Sequence, residues 1–211
     1  MQPWWAALRR RWLLHYVTDP RFRFIFDAPP PGEWVALDCE TTGLDVRRDK
    51  IIAIGAVRIV GNRLLTSQRL ELLVRPEREL KADSVRVHRL REQDVAQGIA
   101  PAFAMHQLLE FIGGRPLVGY YLEFDVEMVN RELRSLIGVG LPQPKIEVSS
   151  MYYDFKNRQR PPHERDGPID LRFATLMNDL ELPQRDAHDA LNDAVMAGLA
   201  FLKLQRLLRD P

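Results

Sequence analysis

Apolar positions change their period several times along this chain, and each change predicts an element. From Trp34 the run Val35-Ala36-Leu37-Asp38, the stretch Ile51 to Val60, a Gly61-Asn62 turn and the stretch Leu64 to Val74 predict a three-stranded meander. Within the last of these, Leu70, Leu72 and Val74 alternate as a half-buried strand requires. Two short apolar runs, Pro116 to Tyr121 and Lys145 to Val148, predict further strands. Helical spacing occupies about Ala102 to Ile112, Phe124 to Leu136, Leu171 to Leu180 and Asp189 to Leu208. Phe124, Met128, Val129, Leu133 and Leu136 share one face, and Ala190, Ala194, Ala197 and Gly198 form a small-residue stripe that lets the last helix lie close to a sheet. The class is therefore α/β with a mixed sheet, without internal repeats. Lys156 to Pro168, rich in Arg, Pro and charge and lacking periodicity, is expected to be an exposed loop.

Residues 1–31 differ from the rest and are taken as an N-terminal aromatic and basic extension of a domain spanning 32–211. They hold three of the four tryptophans, the triplet Arg9-Arg10-Arg11 and the break Pro29-Pro30-Pro31. Trp4, Leu8, Trp12 and His15 recur at helical spacing, while Phe22, Phe24 and Phe26 alternate behind Arg21 and Arg23. A helix and strap packed on the body or on a second copy is one reading, and a contact with nucleic acid the other.

Composition narrows the function classes. With 30 basic against 29 acidic residues the formal charge is +1, so any nucleic-acid contact must be local rather than a broad electrostatic coat. At 211 residues, 45% of them hydrophobic, the chain has ample material for one globular core. The single cysteine, Cys39, excludes an internal disulfide and reads as a small apolar strand residue. No apolar run reaches the roughly 18 residues of a spanning helix, and arginines interrupt Met1 to Val17 where a signal peptide needs its apolar segment; a cytoplasmic protein with no membrane contact is expected.

Candidate chemistry concentrates at three places. In Asp38-Cys39-Glu40-Thr41-Thr42-Gly43-Leu44 two carboxylates one residue apart project to the same side of a strand end, an arrangement that asks for a hard cation or a proton. The segment also has a calcium-loop look, with Asp38, Glu40, Gly43 and Asp49, but its strand-forming flanks argue against an EF-hand. A solvated turn is the plain alternative. Asp125 falls in the first turn of a helix, where an acid also serves the helix dipole, and Glu123 is similar. His188 precedes the final helix, Asp189 can cap it, and Asp193 lies about one turn in, so imidazole and carboxylate can face one pocket.

In order and content these clusters resemble the DEDDh 3′→5′ exonucleases, the DnaQ-like family that includes the proofreading epsilon subunit of DNA polymerase III, from about Trp34 to Leu204. Asp38, Glu40 and Thr41-Thr42-Gly43-Leu44 match Asp-x-Glu-Thr-Thr-Gly; Phe124-Asp125 matches the second motif; His188, Ala190, Asp193 and Ala194 match His-x-Ala-x-x-Asp-Ala. Val87-His88, Gln93-Asp94-Val95 and Ile169-Asp170-Leu171 look like further family segments. Tyr120 and Tyr121 depart from the His-Asn found in many relatives, and could stack bases or fill the core.

The resemblance implies a ribonuclease H-like fold, a five-stranded mixed sheet flanked by helices. It implies an enzyme that hydrolyses terminal phosphodiester bonds of single-stranded DNA and releases nucleoside 5′-monophosphates. It further implies two Mg²⁺ or Mn²⁺ ions held by Asp38, Glu40, Asp125 and Asp193, His188 as general base, and the terminal nucleotide on Thr41, Thr42, Gly43 and Leu44. Single-stranded 3′ ends are the implied partner, DNA ahead of RNA, with a polymerase partner or a homodimer open. RNA 3′-end trimming and a noncatalytic nucleic-acid or polymerase-binding module are the alternatives. Lys156, Arg158 and Arg160 read either as phosphate contacts or as a solvated run.

Overall fold

Strand β1 (Glu33–Thr41) lies at the centre of a five-stranded sheet in the computed structural model, which describes residues 4–75, 95–165, 167–184 and 189–209. On one side β1 pairs antiparallel with β2 (Ile51–Val60), which pairs antiparallel with the edge strand β3 (Arg63–Leu73). On the other side it pairs parallel with β4 (Leu117–Gly119), which pairs parallel with β5 (Lys145–Glu147), giving the order β3-β2-β1-β4-β5. The mixed sheet expected from the apolar pattern is thus present. The parallel strands β4 and β5 are shorter than the runs that predicted them, because Tyr121 turns into the left-handed region and Val148 opens a helix.

Alternation along the strands sorts side chains into two layers. Val35, Leu37, Cys39, Ile54 and Ala56 join one buried cluster with α2 (Pro101–Ile112) and α3 (Leu122–Ile137). Ala36, Val57, Ile59 and Val118 join a second with α4 (Val148–Gln159), α5 (Phe173–Asp179) and α6 (Ala190–Arg209). Asp38 and Glu40, even-numbered like Ala36, therefore share the face that α6 covers.

Two expectations are corrected. Val148–Gln159 is a helix, so the Lys156 to Pro168 segment is not all loop. Val148, Met151, Tyr152 and Phe155 pack on the second cluster at helical spacing, a stripe obscured in sequence by Ser149-Ser150 and the basic residues that follow. Pro20–Phe26 is a 3-10 helix rather than an alternating strap; Pro20 fixes the first turn and the Asp19 carboxylate accepts from the Arg21 backbone N–H at 3.0 Å. Phe22, Ile25 and Phe26 bury in the first cluster, which ties the extension to the body. Ahead of it, α1 (Trp4–Leu14) carries an outer face with Leu8 and Trp12 exposed. No helix among the described residues is long and apolar enough to cross a membrane.

Candidate active site

Each acidic side chain reaches the end of β1 from a different element. Asp38 and Glu40 extend from β1 itself, just before a register shift between Glu40 and Thr41 that redirects the chain into a loop. Asp193 comes from the first turn of α6, whose start is capped: the Asp189 carboxylate accepts from the Asn192 backbone N–H at 2.8 Å. Ligand oxygens of Asp38, Glu40 and Asp193 all lie within 4.8 Å of one another, and all three side chains are half-buried.

Gly55 permits this approach. It sits opposite Asp38 on β2, and a Cβ there would come within 2.1 Å of the Ala190 carbonyl carbon, so only glycine lets the start of α6 rest on the sheet beside Asp38. Sequence reading assigned Gly55 no role, although a lone glycine inside the apolar run Ile51–Val60 is the usual signal of a close backbone approach.

Asp125 stands outside the group of mutual 4.8 Å separations. It is buried in the first turn of α3, and its Oδ1 accepts from the Cys39 backbone N–H, between the two β1 carboxylates, at 3.2 Å. Its charge is nonetheless the strongest of the like charges acting on Asp38. Three of the four expected carboxylates thus converge directly, with the fourth against the same strand end. His188 lies outside the described residues, as do Val87, His88, Gln93 and Asp94.

Electrostatics follow from this crowding. Burial, then Asp125, Asp193, Glu40 and Asp189, push the Asp38 carboxyl well above the usual carboxylate range. Burial, then Asp193 and Asp189, raise Glu40 from 4.5 to about 7. Burial likewise raises Asp125 well above its ordinary value, opposed by the hydrogen bond from Cys39. Carboxylates that hold protons this firmly form a poor site for anions and a good one for cations. An all-oxygen donor set suits hard divalent ions of the Mg²⁺ and Mn²⁺ kind.

The loop after β1 is organised around Asp49, which is buried. Its carboxylate accepts from the Thr42 hydroxyl at 3.1 Å and from the Asp45 backbone N–H at 2.9 Å. Thr42 Oγ1 in turn accepts from the Lys50 N–H at 2.9 Å, and the Thr41 hydroxyl donates to the Gly43 carbonyl at 2.7 Å. A Cβ on Gly43 would meet Asp49 Oδ2 at 2.5 Å, so this glycine allows the turn to close over the acid. With both threonine hydroxyls engaged inside the loop, what it presents outward is backbone and Leu44, which is 85% exposed.

Another acid organises the far side. Glu147, at the end of β5, accepts from the Tyr121 and Leu122 backbone N–H groups at the start of α3, at 3.1 and 2.9 Å. It also accepts from the Ser149 N–H and hydroxyl at the start of α4, at 3.1 and 2.7 Å. One carboxylate therefore fixes two helix N-termini, including the one that carries Asp125. Sequence reading missed it, because the helix it serves beyond its own lies 25 residues away.

The chain is similar to known proteins over the region that carries this site. The RNase_T family model, described as an exonuclease, matches residues 35–201, which takes in Asp38, Glu40, Asp125 and Asp193. A DNA polymerase III subunit epsilon-like protein of Rhodobacter capsulatus is 31% identical over 180 residues, covering 83% of this chain and 24% of its own length. The DNA polymerase III subunit epsilon of Rickettsia felis is 35% identical over 108 residues, covering 48% of this chain and 44% of its own. The chain thus spans about a quarter of the first relative and under half of the second. Among solved structures, E. coli exonuclease I in complex with a dT13 oligonucleotide superposes with a TM-score of 0.69 at 16% identity, covering 84% of this chain and 43% of that one. The shared architecture is the ribonuclease H-like α/β fold. A match that begins in β1, ends in α6 and includes every carboxylate at the strand end places the chain in the RNase_T exonuclease family, as a DnaQ-like member.

Proposed function

We propose that this chain removes nucleotides one at a time from the 3′ end of single-stranded DNA, releasing nucleoside 5′-monophosphates. The observation that carries the reading is the convergence of Asp38, Glu40 and Asp193 within 4.8 Å, with proton affinities raised at Asp38 and Glu40. Family membership supplies the reaction class.

Asp38, Glu40, Asp193 and Asp125 would together hold the divalent cations. Bound there, a pair of divalent cations would neutralise charge gathering on the scissile phosphate and favour ionisation of the attacking water. His188 accepts the proton that water loses, a role suited to an imidazole near neutrality. The new bond joins the water oxygen to phosphorus, and the bond that breaks is the one from phosphorus to the 3′ oxygen of the preceding nucleotide. The Thr41–Leu44 loop receives the terminal nucleotide with its backbone, and exposed Leu44 wedges against its base. DNA as substrate and a polymerase as partner are supported by the names of the epsilon relatives and the oligonucleotide complex of exonuclease I.

The test is release of mononucleotides from 5′-labelled single-stranded DNA and RNA of one sequence, with Mg²⁺ or Mn²⁺. A ladder shortening from the 3′ end, faster on DNA and absent for Asp193→Ala, is expected. Activity unchanged in Asp193→Ala, or cuts only at internal positions, contradicts the proposal.

A further inference from the structure

Tyr120 and Tyr121, at the end of β4, part company in the structure. Tyr120 is packed: its ring stacks on Phe173 of α5 with centroids 4.5 Å apart and planes at 29°, and its hydroxyl donates to the Leu171 carbonyl at 3.0 Å. Tyr121 rests on Tyr120, centroids again 4.5 Å apart, yet is 64% exposed. Its backbone is in the left-handed region, φ 53° and ψ 31°, one of two non-glycine residues with positive φ among those described. That conformation disfavours a bulky side chain, and it is held by the Glu147 carboxylate on the Tyr121 and Leu122 N–H groups. A large ring kept exposed in an unfavourable backbone, backed by two packed rings and fixed by a buttressing acid, is a rigid surface rather than core filling.

Its position gives it an occupant. Tyr121 immediately precedes α3, and Asp125 is four residues on, about 6 Å along the helix axis. The sheet places β2 and β4 on opposite sides of β1. The loop bearing Leu44 runs from β1 to β2, whereas Tyr121 follows β4, so in the sheet order β1 and its carboxylates fall between the strands that these two exposed apolar residues adjoin. A phosphodiester held at those carboxylates has one nucleotide on each side. If the loop takes the terminal one, the next lies on the Tyr121 side.

We propose that Tyr121, stacked on Tyr120 and Phe173, is a platform for the nucleobase next to the 3′-terminal one. This rests on the exonuclease reading and adds a second base subsite to it. Stacking is indifferent to base identity, so the platform tolerates any sequence while holding the strand in register for the cut.

The test is a cycle of protein and substrate changes read as KM for 3′-end shortening of single-stranded DNA. Tyr121→Ala is expected to raise KM roughly 5- to 100-fold, the range a stacked base supplies. Tyr121→Trp and Tyr121→Phe should restore it. Replacing the penultimate nucleotide by an abasic one should cost the parent a similar factor and Tyr121→Ala almost nothing more, because both changes remove one interaction. Equal abasic penalties in parent and Tyr121→Ala, or an unchanged KM in Tyr121→Ala, overturn the platform. Hydrolysis of thymidine 5′-monophosphate p-nitrophenyl ester by the parent protein separates the two readings: cleavage of this single-nucleotide ester keeps the exonuclease assignment even where the platform fails. No cleavage of ester or oligonucleotide overturns both.

Discussion

Placing Glu40 beside Asp193 and Asp189 sets like charges together in a half-buried pocket, a repulsion that a proton or a cation relieves. The sign of the consequence is definite. Glu40 binds its proton more tightly in the folded chain, at about 7 against 4.5, so in metal-free buffer its contribution is intact below pH 4.5 and lost as pH rises through about 7. Thermal stability without divalent ions should therefore fall between pH 5 and 8. Glu40→Gln should flatten that fall and raise stability at pH 8 by about 1 to 2 kcal/mol, allowing for solvent screening of a half-buried group. Thermal melts of parent and variant at several pH values, with chelator present, decide it; a variant less stable than the parent at pH 8 contradicts the crowding. Asp125 differs from its neighbours in already accepting a hydrogen bond, from Cys39 N–H; taken alone its charge reads as a helix-dipole partner, and only the resemblance to the exonuclease motifs marks it as a metal ligand.

Elements, more than side chains, decide whether these acids meet. The apolar run into Asp38 and the small-residue stripe from Ala190 were legible because strand and helix periods are local signals. The Asp38-x-Glu40 pair was legible because one strand carries both. What was not legible joins elements remote in sequence: the contact of Gly55 with Ala190, and Glu147 bonding the start of α3 as well as α4. Helix α4 escaped because a polar start and a basic end dilute its stripe, and the 3-10 turn at Pro20–Phe26 because phenylalanines at every second position imitate a strand. Both long-range contacts can be tested. Gly55→Ala should destabilise by about 2 to 3 kcal/mol in denaturant melts and also slow nucleotide release, since α6 must retreat and carry Asp193 with it. A silent Gly55→Ala would show that α6 does not rest on β2. Glu147→Ala, which strips the caps from two helices, should cost about 2 to 3 kcal/mol, with Glu147→Gln recovering part; equal melts for all three proteins would contradict the dual cap.

As a whole the molecule is one sheet between two helical layers, with its functional end where the parallel strands β1 and β4 finish. Acids supplied by β1 and by helices on both layers converge there, so the fold's own stability is set against their repulsion until a cation is bound. The N-terminal segment, expected as an appendage, adds Val17, Phe22, Ile25 and Phe26 to the first cluster, away from the Asp38 face. Cation binding should accordingly be strong, localised and linked to proton release. Calorimetric titration of Mn²⁺ into the metal-free protein at pH 7, in two buffers of different ionisation heat, tests this most directly. Saturable binding with release of protons is expected, weakened at least about tenfold in Asp193→Asn by loss of one ligand charge. Binding of equal affinity in parent and Asp193→Asn, or none in the parent, would contradict it.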